Sequence, residues 1–192
     1  MNLRTLDEIA PYSLGRHQDV YRVQRWRADP DGPARGPLRV APAGIGRGRF
    51  DLPDQRVAYF ADSPETAAFE TIGRRELTFI ALDGLRSAEL LCVKTTRELT
   101  LVDLTRLAPD WPVLQSMRYG PSQALAAEAA AEGFDGVVYR SPQHYAGTCF
   151  AVFEHAFGEL RRRWHQRLIE PGSGNVHRVV QTVAERGGLP IA

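Results

Sequence analysis

AYFADSPETAAFE, residues 58–70, decides how the chain is read. Its first part continues RVAYFA at 56–61, a short run with strand-forming residues. The register then changes abruptly. Ser63 is suited to cap a helix, Pro64 to open it, and Glu65 to face the positive end of its dipole. The helix is predicted to run through TAAFETIGR and to stop near Gly73. A strand leading straight into a capped helix places Glu70 about two turns along it.

Working outward, the first stretch, LDEIAPYSLGRHQDVYRVQRW, reads as a short helical opening followed by a strand at Val20–Val23. The following ADPDGPARGPLRVAPAGIGRGRF is too rich in Pro and Gly for a regular element, and the long loop 28–48 is predicted there. Beyond Gly73, LTFIALD, AELLCVK and LTLVDLT are strand candidates. PSQALAAEAAAE at 121–132 is a second helix with Gly133 as its stop, and GVVYRSP and TCFAVFEH are further strands. The basic run ELRRRWHQRL is read as helix, then EPGSGN as a break before a short last helix. Strand clusters with a few helices, and no repeat or linker, predict one α+β domain over 1–192 with mixed or antiparallel sheets flanked by helices.

The 192 residues suffice for one core, and 43% hydrophobic with 24% charged residues describes a soluble globular chain. A net charge of +1 gives no global attraction to nucleic acid or membrane. Lys94 is the single lysine among many arginines, a bias that suits phosphate-bearing ligands and also follows from GC-rich coding. Cys92 and Cys149 lie in apolar runs and read as buried thiols, not a disulfide. With no leader-like N-terminus and no spanning stretch, the expected location is the cytoplasm and no membrane partner is expected. Gly44, Gly46 and Gly48 lack the strand and helix that a dinucleotide fingerprint requires, and the five histidines lack zinc spacing, so no metal is expected.

Three segments remain: GRGRF at 46–50, AYFADSPETAAFE at 58–70 and GFDGVVYRSPQHYAGTCFAVF at 133–153. Together they resemble the RES domain, named for an arginine, a glutamate and a serine. The matching residues are Arg49 before Phe50, then Tyr59, Glu70, and Ser141 after Tyr139. Tyr21-Arg22-Val23 and LVDLT at 101–105 extend the match, whose core is about 21–153 with a basic extension at 159–192. The loop between Arg22 and Arg49 is longer and more basic than the family's, and Asp51 stands where asparagine is common.

The resemblance implies an ADP-ribosyltransferase-like fold and a toxin that depletes NAD by cleaving its nicotinamide–ribose bond. Water or inorganic phosphate would attack, with no cofactor beyond the substrate itself. It implies an antitoxin partner with an Xre-type DNA-binding domain, and it is compatible with a homodimer. In that reading Glu70 stabilises the positive charge developing on the ribose, or holds its 2′-hydroxyl. Arg49, helped by Arg22 and Arg47, binds the pyrophosphate. Tyr59 stacks on nicotinamide, and Ser141 supplies a hydroxyl to the carboxylate, the ribose or the nucleophile. Each residue also has an ordinary reading: Glu70 as an i,i+4 surface partner of Arg74, Tyr59 as a core aromatic, Ser141 as a turn starter and Arg49 as a solvated loop residue. Two other functions compete. A mono-ADP-ribosyltransferase would use the same NAD site, and a nucleic-acid-binding module would use the two short basic runs.

Overall fold

The structure, a computed structural model, describes residues 11–26, 38–106 and 119–192. Eight strands form one curled mixed sheet: β1 (Tyr12–Leu14), β2 (Asp19–Arg25), β3 (Val57–Ala61), β4 (Ala88–Thr95), β5 (Leu99–Asp103), β6 (Gly136–Arg140), β7 (Thr148–Phe153) and β8 (Leu160–Arg167). Their spatial order is β1-β5-β6-β7-β3-β2-β4-β8, and β5–β6 is the parallel pair. Among the described residues four α-helices accompany them: α1 (Pro64–Thr71), α2 (Leu82–Arg86), α3 (Gly120–Ala131) and α4 (Arg178–Gly187). The α+β expectation therefore holds. Among the described residues no helix is long and apolar enough to cross a membrane.

Helix α1 begins as its sequence dictates. The Ser63 hydroxyl accepts from the Thr66 amide at 3.1 Å, and Pro64 opens the first turn. Buried Ala67, Ala68 and Phe69 hold it against β2 and β3, with Val179, Val180 and Val183 of α4 in the same cluster. Helix α3 packs separately, its Leu125, Ala126 and Ala129 lying with Phe50, Leu52 and Phe153. A third cluster, including Phe60, Leu91, Val93 and Phe150, fills the opposite side of the sheet. Cys92 and Cys149 are buried free thiols, in keeping with their apolar surroundings.

Three local readings are corrected. ELRRRWHQRL is not helical: it is the edge strand β8, paired antiparallel with β4 from Glu89↔Arg167 to Thr95↔Leu160. Its residues have adequate helix propensity, but ladder bonds to a buried neighbouring strand outweigh a preference of a few tenths of a kcal/mol per residue. LTFIALD is not a strand either. Ile80 makes a single bridge to Ile191, and α2 starts at Leu82. Residues 1–10, where the helical opening is expected to begin, lie outside the described residues, and in the same stretch Tyr12–Leu14 is strand β1 against β5. Residues 28–37 of the predicted long loop also lie outside the described part; 38–50 contain no helix or strand.

The sheet is not equally continuous along its width. Seven register pairs join β2 to β4 and five join β3 to β7, but Tyr21↔Ala61 is the single pair joining β2 to β3. The two strands therefore splay, and a cleft opens at the split.

At the far end of the sheet, Asp135 acts as a fastener. Its carboxylate takes both arms of Arg97 at 2.7 and 2.8 Å and the Thr100 amide at 2.9 Å, with His155 Nε2 at 3.4 Å. Burial alone would push this carboxyl up, but the Arg97 fork, the Thr100 amide and His155 outweigh it and hold it below the usual carboxylate range. A group depressed in the folded state adds stability above its unfolded pKa, and that stability is lost as pH falls through the folded pKa. Asp135→Asn is thus expected to lower unfolding free energy by roughly 1.5–3 kcal/mol at neutral pH. In urea titrations the difference from wild type should vanish below the folded pKa; an equal deficit at all pH values would contradict it.

Candidate active site

The cleft at the β2–β3 split has a volume of about 350 Å³, within the range of small-molecule sites. Helix α1 forms one wall through Ala67, Glu70 and Thr71. The loop carrying Arg47, Gly48 and Arg49 forms the opposite wall, with Tyr119 beside it. Tyr59, Tyr139 and Cys149 form the floor, and Arg22 enters from β2.

Glu70 and Ser141 meet although 71 positions apart in sequence. The Ser141 hydroxyl donates to Glu70 Oε1 in a short hydrogen bond. The same serine oxygen accepts from the amides of Gln143 at 3.2 Å and His144 at 2.8 Å. Ser141 is therefore both a turn residue and the partner of the carboxylate; the two readings are one geometry. Gln143 also places its amide 3.4 Å from Glu70 Oε1. Burial pushes the Glu70 carboxyl up, while the hydrogen bonds from Ser141 and Gln143 and the charges of Arg49 and Arg74 oppose that rise. Arg74 does not pair with Glu70 across the helix turn; its ion pair is with Glu76 at 2.7 Å.

The arginine loop is held from three sides. Asp51 Oδ2 accepts from the Gly48 amide at 2.7 Å and Oδ1 from the Tyr59 hydroxyl at 2.8 Å. The Tyr59 oxygen in turn accepts from the Phe50 amide at 2.9 Å. Gln123 on α3 donates to the carbonyls of Gly46 and Gly48 at 3.1 and 2.9 Å. Gly48 is required by close approach, since a Cβ there would lie 2.3 Å from both Asp51 Oδ1 and the Tyr59 oxygen. Within this frame Arg49 lies over Tyr119, 5.1 Å from the ring centroid, and Arg47 is exposed at the rim.

Tyr59 is placed on the cleft, but its hydroxyl is committed at both ends. Burial first, then the Asp51 charge, push its pKa far up, so the phenol does not exchange protons near neutrality. What it offers a ligand is ring surface. Burial likewise keeps Tyr139 and Cys149 protonated.

Arg22 has an unusual environment. Its Nη2 donates to the Arg39 carbonyl at 2.6 Å, whereas Nε and Nη1 are buried with no hydrogen-bond partner among the described residues. Burial lowers its pKa to about 10, which still leaves it cationic at neutral pH. Buried cationic donors without partners are what an anionic ligand would satisfy.

The structure thus brings Arg22, Arg47, Arg49, Tyr59 and Glu70 to one cleft, with Ser141 bonded to Glu70 from just behind it. Sequence reading missed Tyr119 and Gln143 on the cleft, and Asp51 and Gln123 behind it. Gln143 follows the Ser-Pro step and carried some signal as a turn residue. The other three are ordinary polar or aromatic residues whose meaning depends on tertiary approach.

No curated protein matches the chain in sequence. Among solved structures, it is similar to a chain of the M. tuberculosis MbcT–MbcA toxin–antitoxin complex. The TM-score is 0.62 at 19% identity, covering 85% of this chain and 90% of that one. At that identity the likeness is one of fold. A family model, the RES domain, matches residues 19–169, which takes in all six of the strands from β2 to β7 and the edge strand β8 as well. The chain belongs to the RES-domain family.

Proposed function

We propose that this chain is the toxin of a toxin–antitoxin pair and acts by breaking the nicotinamide–ribose bond of NAD. The observation that carries the reading is the Glu70–Ser141 pair facing the Arg49 loop across one cleft. Family membership and the fold shared with a chain of a toxin–antitoxin complex support it. The expected partner is an antitoxin with an Xre-type DNA-binding domain.

The chemistry needs little from the protein. As the C1′–N bond breaks, its electron pair neutralises the cationic nicotinamide nitrogen, so no acid has to protonate the leaving group. Positive charge develops on the ribose, and a carboxylate beside it is most valuable at that moment. An oxygen of water or inorganic phosphate then bonds to C1′, and a proton leaves the nucleophile to solvent. Glu70 is suited to the charge-stabilising role because Ser141 and Gln143 fix its orientation. Arg49 and Arg22 supply cationic donors for the pyrophosphate, and Tyr59, Tyr119 and Tyr139 supply flat surfaces for the rings.

Purified protein incubated with adenine-labelled NAD is expected to release nicotinamide. Label in ADP-ribose 1″-phosphate identifies phosphorolysis, and label in ADP-ribose identifies hydrolysis. Label in a macromolecule would overturn cleavage in favour of ADP-ribosyl transfer. Intact NAD, with phosphate and acceptors both supplied, would remove the enzyme reading altogether.

Glu70→Gln retains size and hydrogen bonding but removes the charge. Turnover should fall about a hundredfold or more while NAD affinity and thermal unfolding change little. Arg74→Gln, breaking only the half-exposed pair with Glu76, should leave turnover within about twofold of wild type. Equal turnover in the two variants would take Glu70 out of the mechanism.

A further inference from the structure

Behind the cleft, β2 and β4 carry a polar pair where their neighbours are apolar. Gln24 and Glu89 sit directly opposite each other and are 6% and 7% exposed, next to Val23, Leu90 and Leu91. A buried amide and carboxylate cost more than an apolar pair of similar size unless every atom is used. Here the main ones are. Gln24 Nε2 donates to Glu89 Oε1 at 2.8 Å, and His165 Nδ1 lies 2.8 Å from Glu89 Oε2. A carboxylate only accepts, so it fixes the amide's orientation and turns Gln24 Oε1 away. That oxygen accepts from the Arg39 amide at 3.0 Å. The carbonyl of the same Arg39 receives Arg22 Nη2.

Residues 38–40 belong to no strand, so no ladder holds this peptide in place. Arg22 and Gln24, two apart on β2, share one face of the strand, and the Arg39 peptide crosses over both. We propose that Gln24, oriented by Glu89, is a positioning residue for Arg22: it fixes the Arg39 peptide, which fixes one end of the guanidinium and leaves Nε and Nη1 available to an anionic group of the substrate. Gln24 touches no ligand in this arrangement and acts on Arg22 through Arg39. The inference rests on the reading of the cleft as the NAD site, which nicotinamide release by the wild-type chain tests first.

The experiment measures KM and kcat for NAD, the affinity for inorganic pyrophosphate by calorimetry, and thermal unfolding. Gln24→Leu should raise KM and weaken pyrophosphate binding by roughly tenfold, with kcat within about twofold of wild type. In an Arg22→Ala background the same substitution should add almost nothing, because the group it positions is gone. Gln24→Glu faces Glu89 with a second carboxylate and should raise KM. Gln24→Glu/Glu89→Gln swaps the pair, restores both a donor to the carboxylate and an acceptor for Arg39, and should return KM to within about twofold of wild type.

An unchanged KM in folded Gln24→Leu overturns the proposal, as does an effect that adds fully to Arg22→Ala. So does a swapped pair that folds but is not rescued. If Gln24→Leu fails to fold, Gln24→Glu and the swapped pair decide alone by the same criteria. A wild-type chain that leaves NAD intact would instead sink the reading of the cleft, and the pyrophosphate titration would still report whether Gln24 governs Arg22.

Discussion

Tyr21 and Ala61 are the one register pair between β2 and β3, in a sheet whose neighbouring ladders run for five and seven pairs. The cleft follows from that split. Where two strands stay in ladder contact, side chains on the two faces cannot reach a common space. Where they part, Arg22 from β2 can line the same cavity as Tyr59 from β3 and Glu70 from the helix that follows it. The split also explains why α1 and α3 occupy separate clusters, one over each part of the sheet, with Tyr139 packed against both.

What keeps the split from closing is polar and local. On the α1 side, the Ser141 hydroxyl joins the turn after β6 to Glu70, and the side-chain oxygen Oε1 of Gln143 accepts from the Arg75 amide at 2.9 Å. On the α3 side, Asp51, Tyr59 and Gln123 fix the loop of Arg49. Both walls are therefore set by hydrogen bonds made within the protein. A site assembled in advance loses less freedom on binding, and its dipoles need less reorganisation as charge develops.

The sequence was most legible where local chemistry decides the outcome. Ser63 and Pro64 start α1 as their types require, and Gly133, at φ +84°, follows the end of α3. It was least legible where a long-range partner decides. Nothing in ELRRRWHQRL marks it as an edge strand; β4 does. The same division holds in the cleft. Arg49, Tyr59, Glu70 and Ser141 stood out only as a joint pattern, since each has an ordinary reading on its own. Ser141 showed that such readings need not exclude one another, because one oxygen both closes a turn and bonds the carboxylate. Gln24 and Gln123 gave no signal, and Asp51 stood out only as a departure from the family pattern, because a glutamine or aspartate packed into the protein looks in sequence like a solvated one.

Arg22 shows how far this preorganisation goes. A guanidinium with two buried nitrogens that meet no acceptor among the described residues is unfavourable by about 1–3 kcal/mol, or more for a charged group. Releasing it would be simple: a side chain this long could swing its head toward water. It does not, because the Arg39 carbonyl holds Nη2 and Gln24 holds the Arg39 amide. An anion placed against those two donors would remove that cost. Glu70 carries the opposite tension, its charge disfavoured by burial and sustained by Ser141 and Gln143. Arg22 and Glu70 thus bring to one cleft a cation and a carboxylate that burial disfavours in opposite senses, each held in place by hydrogen bonds from the protein itself.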